Sequence, residues 1–116
     1  MTKNLTSILT SIGFDEKEAQ LYLAGLELGT APASEYSKLT GIHRVTSYNV
    51  LESLVARGHF TVVRKLRSKW YAPISPEYMA LEARKNAESI ERVLPELRSL
   101  QGSHYRQPKV RYFEGI

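Results

Sequence analysis

Glycine and proline cut the middle of this chain into pieces so short that few folds can use them. Gly29-Thr30-Ala31-Pro32, then Gly41, then Arg57-Gly58 interrupt the helical periodicity. Glycine releases the backbone into conformations a helix cannot use, and proline removes a helical donor. Between these breaks a helical run from Ala33 to Leu39 is followed, after the turn at Gly41, by another that opens at Ile42-His43-Arg44. Two short helices across a Gly-bearing turn form a helix-turn-helix pattern. In the second run Tyr48, Leu51, Leu54 and Val55 fall on one side of a helical wheel and are expected in the core. Val45, Thr46, Asn49 and Ser53 fall roughly opposite, on a face left to read a partner. Ser37 is small where the first helix must cross the second closely, with Tyr36 and Leu39 as apolar anchors beside it.

The segment after Gly58 narrows the choice further. Phe60 to Arg64 and Lys69 to Ala72 are rich in β-branched and aromatic residues and are separated by the basic Lys65-Leu66-Arg67-Ser68. This predicts a β-hairpin with a charged tip. The net charge of +4 says little by itself, but between Ser53 and Pro76 there are five cations, Arg57, Arg64, Lys65, Arg67 and Lys69, and no acid. A basic hairpin directly after a reading helix is the wing of a winged helix, and its natural partner is a polyanion. The bland alternative is a solvated hairpin whose cations only blunt an edge strand.

The flanks read as helices. Leu5, Ile8, Leu9 and Ile12 make one apolar face that ends at Gly13. Asp15 with Glu18 resembles a capping box for a helix whose stripe is Ala19, Tyr22, Leu23 and Leu26. Gly25 within it costs about 1 kcal/mol against Ala, and a close helix crossing or simple tolerance explains it. Ser75-Pro76-Glu77 starts a long helix, over residues 76–101, on which Ala80, Ala83, Ala87, Ile90, Leu94 and Leu97 recur at alternating spacings of three and four. That seam fits an identical helix, or else the chain's own winged helix or a further domain. Pro95 is expected to kink or restart the helix. Residues 102–116 read as a linker, Gly102-Ser103-His104, and a single strand, Lys109 to Phe113, with nothing left to pair it.

Composition excludes much else. A chain of 116 residues holds one compact domain and an appendage. It has no cysteine, hence no disulfide, thiolate metal site or thiol nucleophile. No apolar run reaches the roughly 18 residues of a membrane span, and the amino terminus lacks the pattern of a secretory signal. A cytoplasmic protein without membrane contact is expected. His43, His59 and His104 are far apart with no carboxylate at ligand spacing, and no phosphate loop, nucleophile elbow or metalloprotease motif is present. We therefore expect no metal, no cofactor, no small-molecule ligand in the chain as it stands, and no enzymatic activity.

Several segments together resemble the TrmB-like transcriptional regulators. These are Ile12-Gly13-Phe14-Asp15 with Glu18-Ala19, Tyr22-Leu23 and Leu26-Glu27-Leu28-Gly29; Leu39-Thr40-Gly41-Ile42; Tyr48 through Leu54 with Gly58; Tyr71-Ala72-Pro73; and Ser75-Pro76-Glu77. The resemblance covers nearly the whole chain. Its departures are Gly25 where the family favours Leu, Tyr36 and Ser37 where it favours Ile and Ala, and His59 in place of an aliphatic. It implies a mainly α fold with a small β-hairpin, a winged helix-turn-helix over residues 1–75 that binds operator DNA, and dimerisation through the long helix. It also implies a following effector domain, which in several members binds sugars and whose first strand Lys109 to Ile116 resembles.

On this reading the partner is double-stranded DNA. The reading helix offers His43 and Arg44 near a phosphate, Arg44 alternatively on a guanine, Val45 and Thr46 for methyl and hydroxyl contacts, and Asn49 for an adenine edge. Ser34 and Lys38 on the preceding helix are expected at phosphates, and Arg64, Lys65, Arg67, Ser68 and Lys69 at the wing. A homodimer is expected to close over Ala83, Ala87, Ile90, Leu94 and Leu97. The alternatives are a nonspecific DNA-coating protein and a winged helix that docks a protein. A docking face should carry an apolar patch, whereas Thr46, Asn49 and Ser53 are polar.

Overall fold

The computed structural model describes residues 2–102; the linker from Ser103 and the strand expected at Lys109 to Phe113 lie outside the described residues. The elements, in order, are α1 (Thr2–Ser11), α2 (Glu16–Leu28), β1 (Ala31–Pro32), α3 (Ala33–Thr40), α4 (Arg44–Ala56), β2 (Phe60–Lys65), β3 (Ser68–Pro73), α5 (Pro76–Arg92) and α6 (Leu94–Gln101). They fall into two compact units that divide between Met79 and Ala80, so the first turn of α5 belongs to the first unit. No helix among the described residues is long and apolar enough to cross a membrane.

The first unit is a winged helix. Asp15 starts α2 by the expected capping box: its Oδ1 accepts from the Glu18 amide at 2.8 Å while the Asp15 amide donates to Glu18 Oε1 at 3.0 Å. Gly41 takes the left-handed conformation that ends α3, and its amide donates to the Ser37 carbonyl at 2.8 Å. Ser37 Oγ donates to the Ile42 carbonyl at 2.6 Å, so the small residue staples the turn as well as allowing the crossing. The hairpin β2–β3 pairs antiparallel with Val62 opposite Tyr71 and Arg64 opposite Lys69. β1 adds an edge strand, with Ala31 opposite Tyr71, giving the order β1-β3-β2. The sequence predicts only the hairpin. β1 is two residues long and contains proline, too short for a periodic signal.

Tyr36, Leu51, Leu54, Phe60 and Tyr71 are completely enclosed, each large side chain removed from water adding roughly 1.5–3 kcal/mol. Two of the buried tyrosines satisfy their hydroxyls on backbone: Tyr36 donates to the Tyr71 carbonyl and Tyr22 to the Ile74 carbonyl, each at 2.9 Å. His59 sets its ring edge-on to Phe14 with centroids 4.9 Å apart, filling the place of an aliphatic with an aromatic contact. A Cβ on Gly25 would lie 2.9 Å from Pro73 and from the Tyr36 hydroxyl. The close approach is therefore to β3 and a tyrosine of α3, more than to a crossing helix backbone.

Several expected core residues sit elsewhere. α2 buries Leu21 and Ala24 with Ala19 and Tyr22, with Gly25 against Pro73 and Tyr36, and Leu26 is exposed. Leu39 is exposed. Of the α1 face only Leu9 enters the core, and Ile12 is 60% exposed. In α4 Ser47 is enclosed together with Leu51 and Leu54, and Tyr48 is 41% exposed.

In the second unit α5 continues to Arg92 and α6 begins at Leu94 with Pro95 in its first turn. Proline has no amide to give the Glu91 carbonyl, so the helix restarts, as its position predicts. The Val93 amide divides itself between the Ser89 and Ile90 carbonyls at 3.3 and 3.2 Å. Ala80, Ala83, Ala87 and Ile90 thus lie on one helix, and Leu94 and Leu97 on the next. Neither helix buries a residue of the second unit, and Ile90 is 57% exposed.

Candidate nucleic-acid interface

His43 sits where α4 begins, and its Nδ1 accepts from the Val45 amide at 3.2 Å. A lone pair used this way leaves Nε2 as the outward donor. Arg44, Val45 and Asn49 are exposed along α4, and Thr46 is half-buried. An open groove of about 690 Å³ separates the start of α4 from the hairpin. Ser34, Arg44, Val45, Tyr48, Arg64, Arg67, Ser68 and Lys69 are among the residues on its walls. Candidates from three separate stretches of sequence therefore meet on one surface.

The hairpin register sorts the basic residues. Side chains alternate across a strand, so Arg64 and Lys69 share the face of Tyr71, which turns towards the helices, while Lys65 and Trp70 share the opposite face. Lys65 accordingly lies with its ammonium 4.4 Å from the centre of the Trp70 ring, and it does not line the groove. Lys38, on α3, lies outside the groove as well, 3.6 Å from Glu35 in an exposed pair.

Folding also brings acids to the stretch that lacks them in sequence. Arg57 pairs with Glu18, the partner of Asp15 in the capping box of α2, and ties the end of α4 to that helix. Glu52 accepts from Lys69 Nζ at 3.0 Å and from the Tyr71 hydroxyl. These hydrogen bonds, Tyr71 first and Lys69 second, hold the Glu52 carboxyl below its ordinary range. Burial and the same carboxylate hold the Tyr71 hydroxyl well above its own. Lys69 also lies 5.7 Å from the Tyr48 ring centre. Arg44, Arg64 and Arg67 make no ion pair among the described residues.

Glu52 and Tyr48 escape the sequence reading. Glu52 is separated from Lys69 by the whole first strand of the hairpin, and only the packing of α4 against the hairpin reveals their meeting. Tyr48 reads as core by periodicity because a wheel assigns a face without knowing where the hairpin stops covering it. Among the described residues no cluster of histidines, aspartates and glutamates is placed to hold a metal.

A family model described as the sugar-specific transcriptional regulator TrmB matches residues 9–77. The chain is 34% identical over 86 residues to the HTH-type sugar sensing transcriptional regulator TrmBL1 of Pyrococcus furiosus, a match covering 73% of this chain and 25% of that protein. It is 33% identical over 88 residues to YrhO of Bacillus subtilis, covering 76% of this chain and 32% of that one. The chain thus spans about a quarter to a third of the length of these relatives. Its fold matches the solved structure of TrmBL2, an archaeal chromatin protein described as showing a novel mode of DNA binding. The TM-score is 0.59 at 18% identity, over 91% of this chain and 44% of that one.

Proposed function

The chain belongs to the TrmB family of transcriptional regulators, and on that premise we propose that it binds duplex DNA sequence-specifically, α4 lying in the major groove and the wing on the adjacent groove or backbone. The observation that carries this reading is the groove between α4 and the hairpin, where Arg44, Arg64, Arg67 and Lys69 converge beside the exposed Val45 and Tyr48 of α4. Cations neutralise phosphates and position the protein, and a few side chains on the helix read base edges. Asn49 matches the N6/N7 edge of adenine. Arg44 takes a guanine or a phosphate, and Val45 and Thr46 supply methyl and hydroxyl contacts. His43 donates from Nε2 to a phosphate, which Ser34 and Lys38 approach from α3. At the wing Arg64, Arg67, Ser68 and Lys69 face the duplex, with Lys65 flanking from the outer side. The family is a regulator family and no enzymatic step is proposed.

The same reading makes the protein a homodimer through Ala83, Ala87, Ile90, Leu94 and Leu97, with residues 1–75 as the DNA-binding part, 76–101 as the dimer element and 102–116 leading into an effector domain. Its support is the apolar seam on helices that bury nothing within their own unit. A two-fold dimer reads an inverted repeat with half-sites about 10 bp apart or a multiple of it.

Selection of bound sequences from a random duplex pool, followed by titration of the winners against salt, tests the proposal. Enrichment of an inverted repeat is expected, with log K falling by about 0.9 per phosphate contact for each log unit of salt. Binding without enrichment makes the protein a nonspecific DNA coat, and affinity indifferent to salt overturns DNA binding.

A further inference from the structure

The tip of the hairpin breaks two local rules at once. β2 ends at Lys65 and β3 begins at Ser68, which pair with each other, so Leu66 and Arg67 alone make the turn. Leu66 stands at φ 55°, and no other non-glycine described residue has a positive φ. A side chain with a Cβ crowds the backbone there, and tight hairpins ordinarily place Gly, Asn or Asp at such positions. The same leucine is 103% exposed, more than any other large apolar residue of the described chain. Either glycine or asparagine would relieve the backbone and remove the exposed apolar surface together. A residue that costs the free protein twice, with no contact inside the fold to offset it, marks a position whose contact is made with a partner.

The surroundings indicate what that partner offers. Leu66 lies between Lys65 and Arg67, and Arg64 and Arg67 line the groove, on whose walls there is no acid among the described residues, while Glu52 is paired with Lys69. A partner must therefore be anionic on its rims and apolar at one narrow point between them. The minor groove of duplex DNA takes that form where a base step parts, about 6 Å wide between two rows of phosphates, walled by sugars and apolar on the base faces that the parting exposes. Branched aliphatic side chains enter it as wedges that part a base step and bend the duplex. We propose that Leu66 is such a wedge, seated in the minor groove beside the segment read by α4 while Arg67 and Lys65 hold the flanking phosphates. The inference rests on the DNA-binding reading above and adds to it a source of selectivity without base hydrogen bonds. The preferred site should carry a deformable pyrimidine–purine step at a fixed distance from the bases read by α4.

The test uses the full 116-residue chain and a duplex from the selected pool, labelled at both ends for energy transfer and carrying a fluorescent base analogue at the wing-facing step. Leu66→Gly and Leu66→Asn relieve the turn, so their melting temperatures should equal or exceed that of the unmodified protein. They should bind about tenfold more weakly, the loss expected for one aliphatic side chain no longer buried, and should lose both the bend and the base-analogue signal. Leu66→Met keeps an apolar side chain and should retain all three. Glycine and asparagine variants that bind and bend the duplex like the unmodified protein overturn the wedge and leave DNA binding intact. So does a methionine variant as impaired as the asparagine one, or a change confined to oligomeric state, which would make Leu66 a protein contact. An unmodified protein that binds no duplex at all overturns the wedge and the DNA reading together.

Discussion

In the winged-helix unit Tyr36, Leu51, Leu54, Phe60 and Tyr71 are enclosed by helices and strands of the same unit, whereas in the helices from Ala80 to Gln101 Ile90, Leu97 and Leu100 remain exposed and no residue is buried. Both regions are patterned with apolar residues at helical spacing. The difference lies in what stands opposite them. The first unit has four helices and a three-stranded sheet to close against one another, so its pattern becomes a core. The second has one line of helix, interrupted at Val93, and a single line encloses nothing. Pattern alone states which residues seek burial, and topology decides whether the chain itself provides it.

Truncations give the largest contrast between the two regions. Leu51→Ala should lower the unfolding free energy of the winged helix by about 2–5 kcal/mol in urea titrations, because an enclosed side chain leaves a cavity. Leu97→Ala should change that transition by no more than about 0.5 kcal/mol, as an exposed position does. Equal losses would mean that the second region shares the core of the first.

A somewhat smaller effect is expected from the seam. Replacing Ile90 and Leu94 by Lys should raise the dimer dissociation constant at least about a hundredfold, since like charges then face each other, while the winged helix stays folded by circular dichroism. Sedimentation equilibrium reads the outcome. A double variant still dimeric, or an unmodified chain monomeric at tens of micromolar, breaks the proposed division of labour.

On the proposed reading, substitutions in the first region change which sequence is bound and those in the second change how many copies bind. Asn49→Ala should cost roughly 1–3 kcal/mol on the preferred duplex and relax preference at one base pair. Arg67→Ala should weaken all duplexes evenly. An Asn49→Ala protein that selects an unchanged consensus removes the base-reading role.

The smallest effect sharpens the comparison through pH. Burial first, and then the charge of Arg57, hold His59 below its ordinary value of 6.5, with Glu18 opposing. The unfolded chain therefore takes up this proton before the folded one, so the stabilisation is present above pH 6.5 and is lost as pH falls below it towards the lower folded value. Melting curves of the winged-helix unit should slope downward through that range, and His59→Phe should flatten the slope while keeping the ring contact with Phe14. The second region, whose described part holds no histidine, should add no slope there.

By itself the sequence determined the order of the main helices and the hairpin, the helix starts at Asp15 and Ser75, the turn at Gly41, and a kink or restart at Pro95. These depend on a capping oxygen, a left-handed glycine or a missing amide, and each is settled within a few residues of chain. It also placed Val45, Asn49 and Arg67 on the surface, because local periodicity gives the outward face of an isolated helix or hairpin. Only the tertiary structure decided that Tyr48 faces the groove instead of the core, that Glu52 joins Lys69 and Tyr71, that Lys65 and Lys69 lie on opposite faces of the wing, and that a two-residue strand at Ala31 extends the sheet. Except for Lys65 and Lys69, which the hairpin register sorts, each of these is a meeting between segments distant in sequence. Its free energy depends on register and on the angle at which a helix meets a sheet, quantities that no single segment contains.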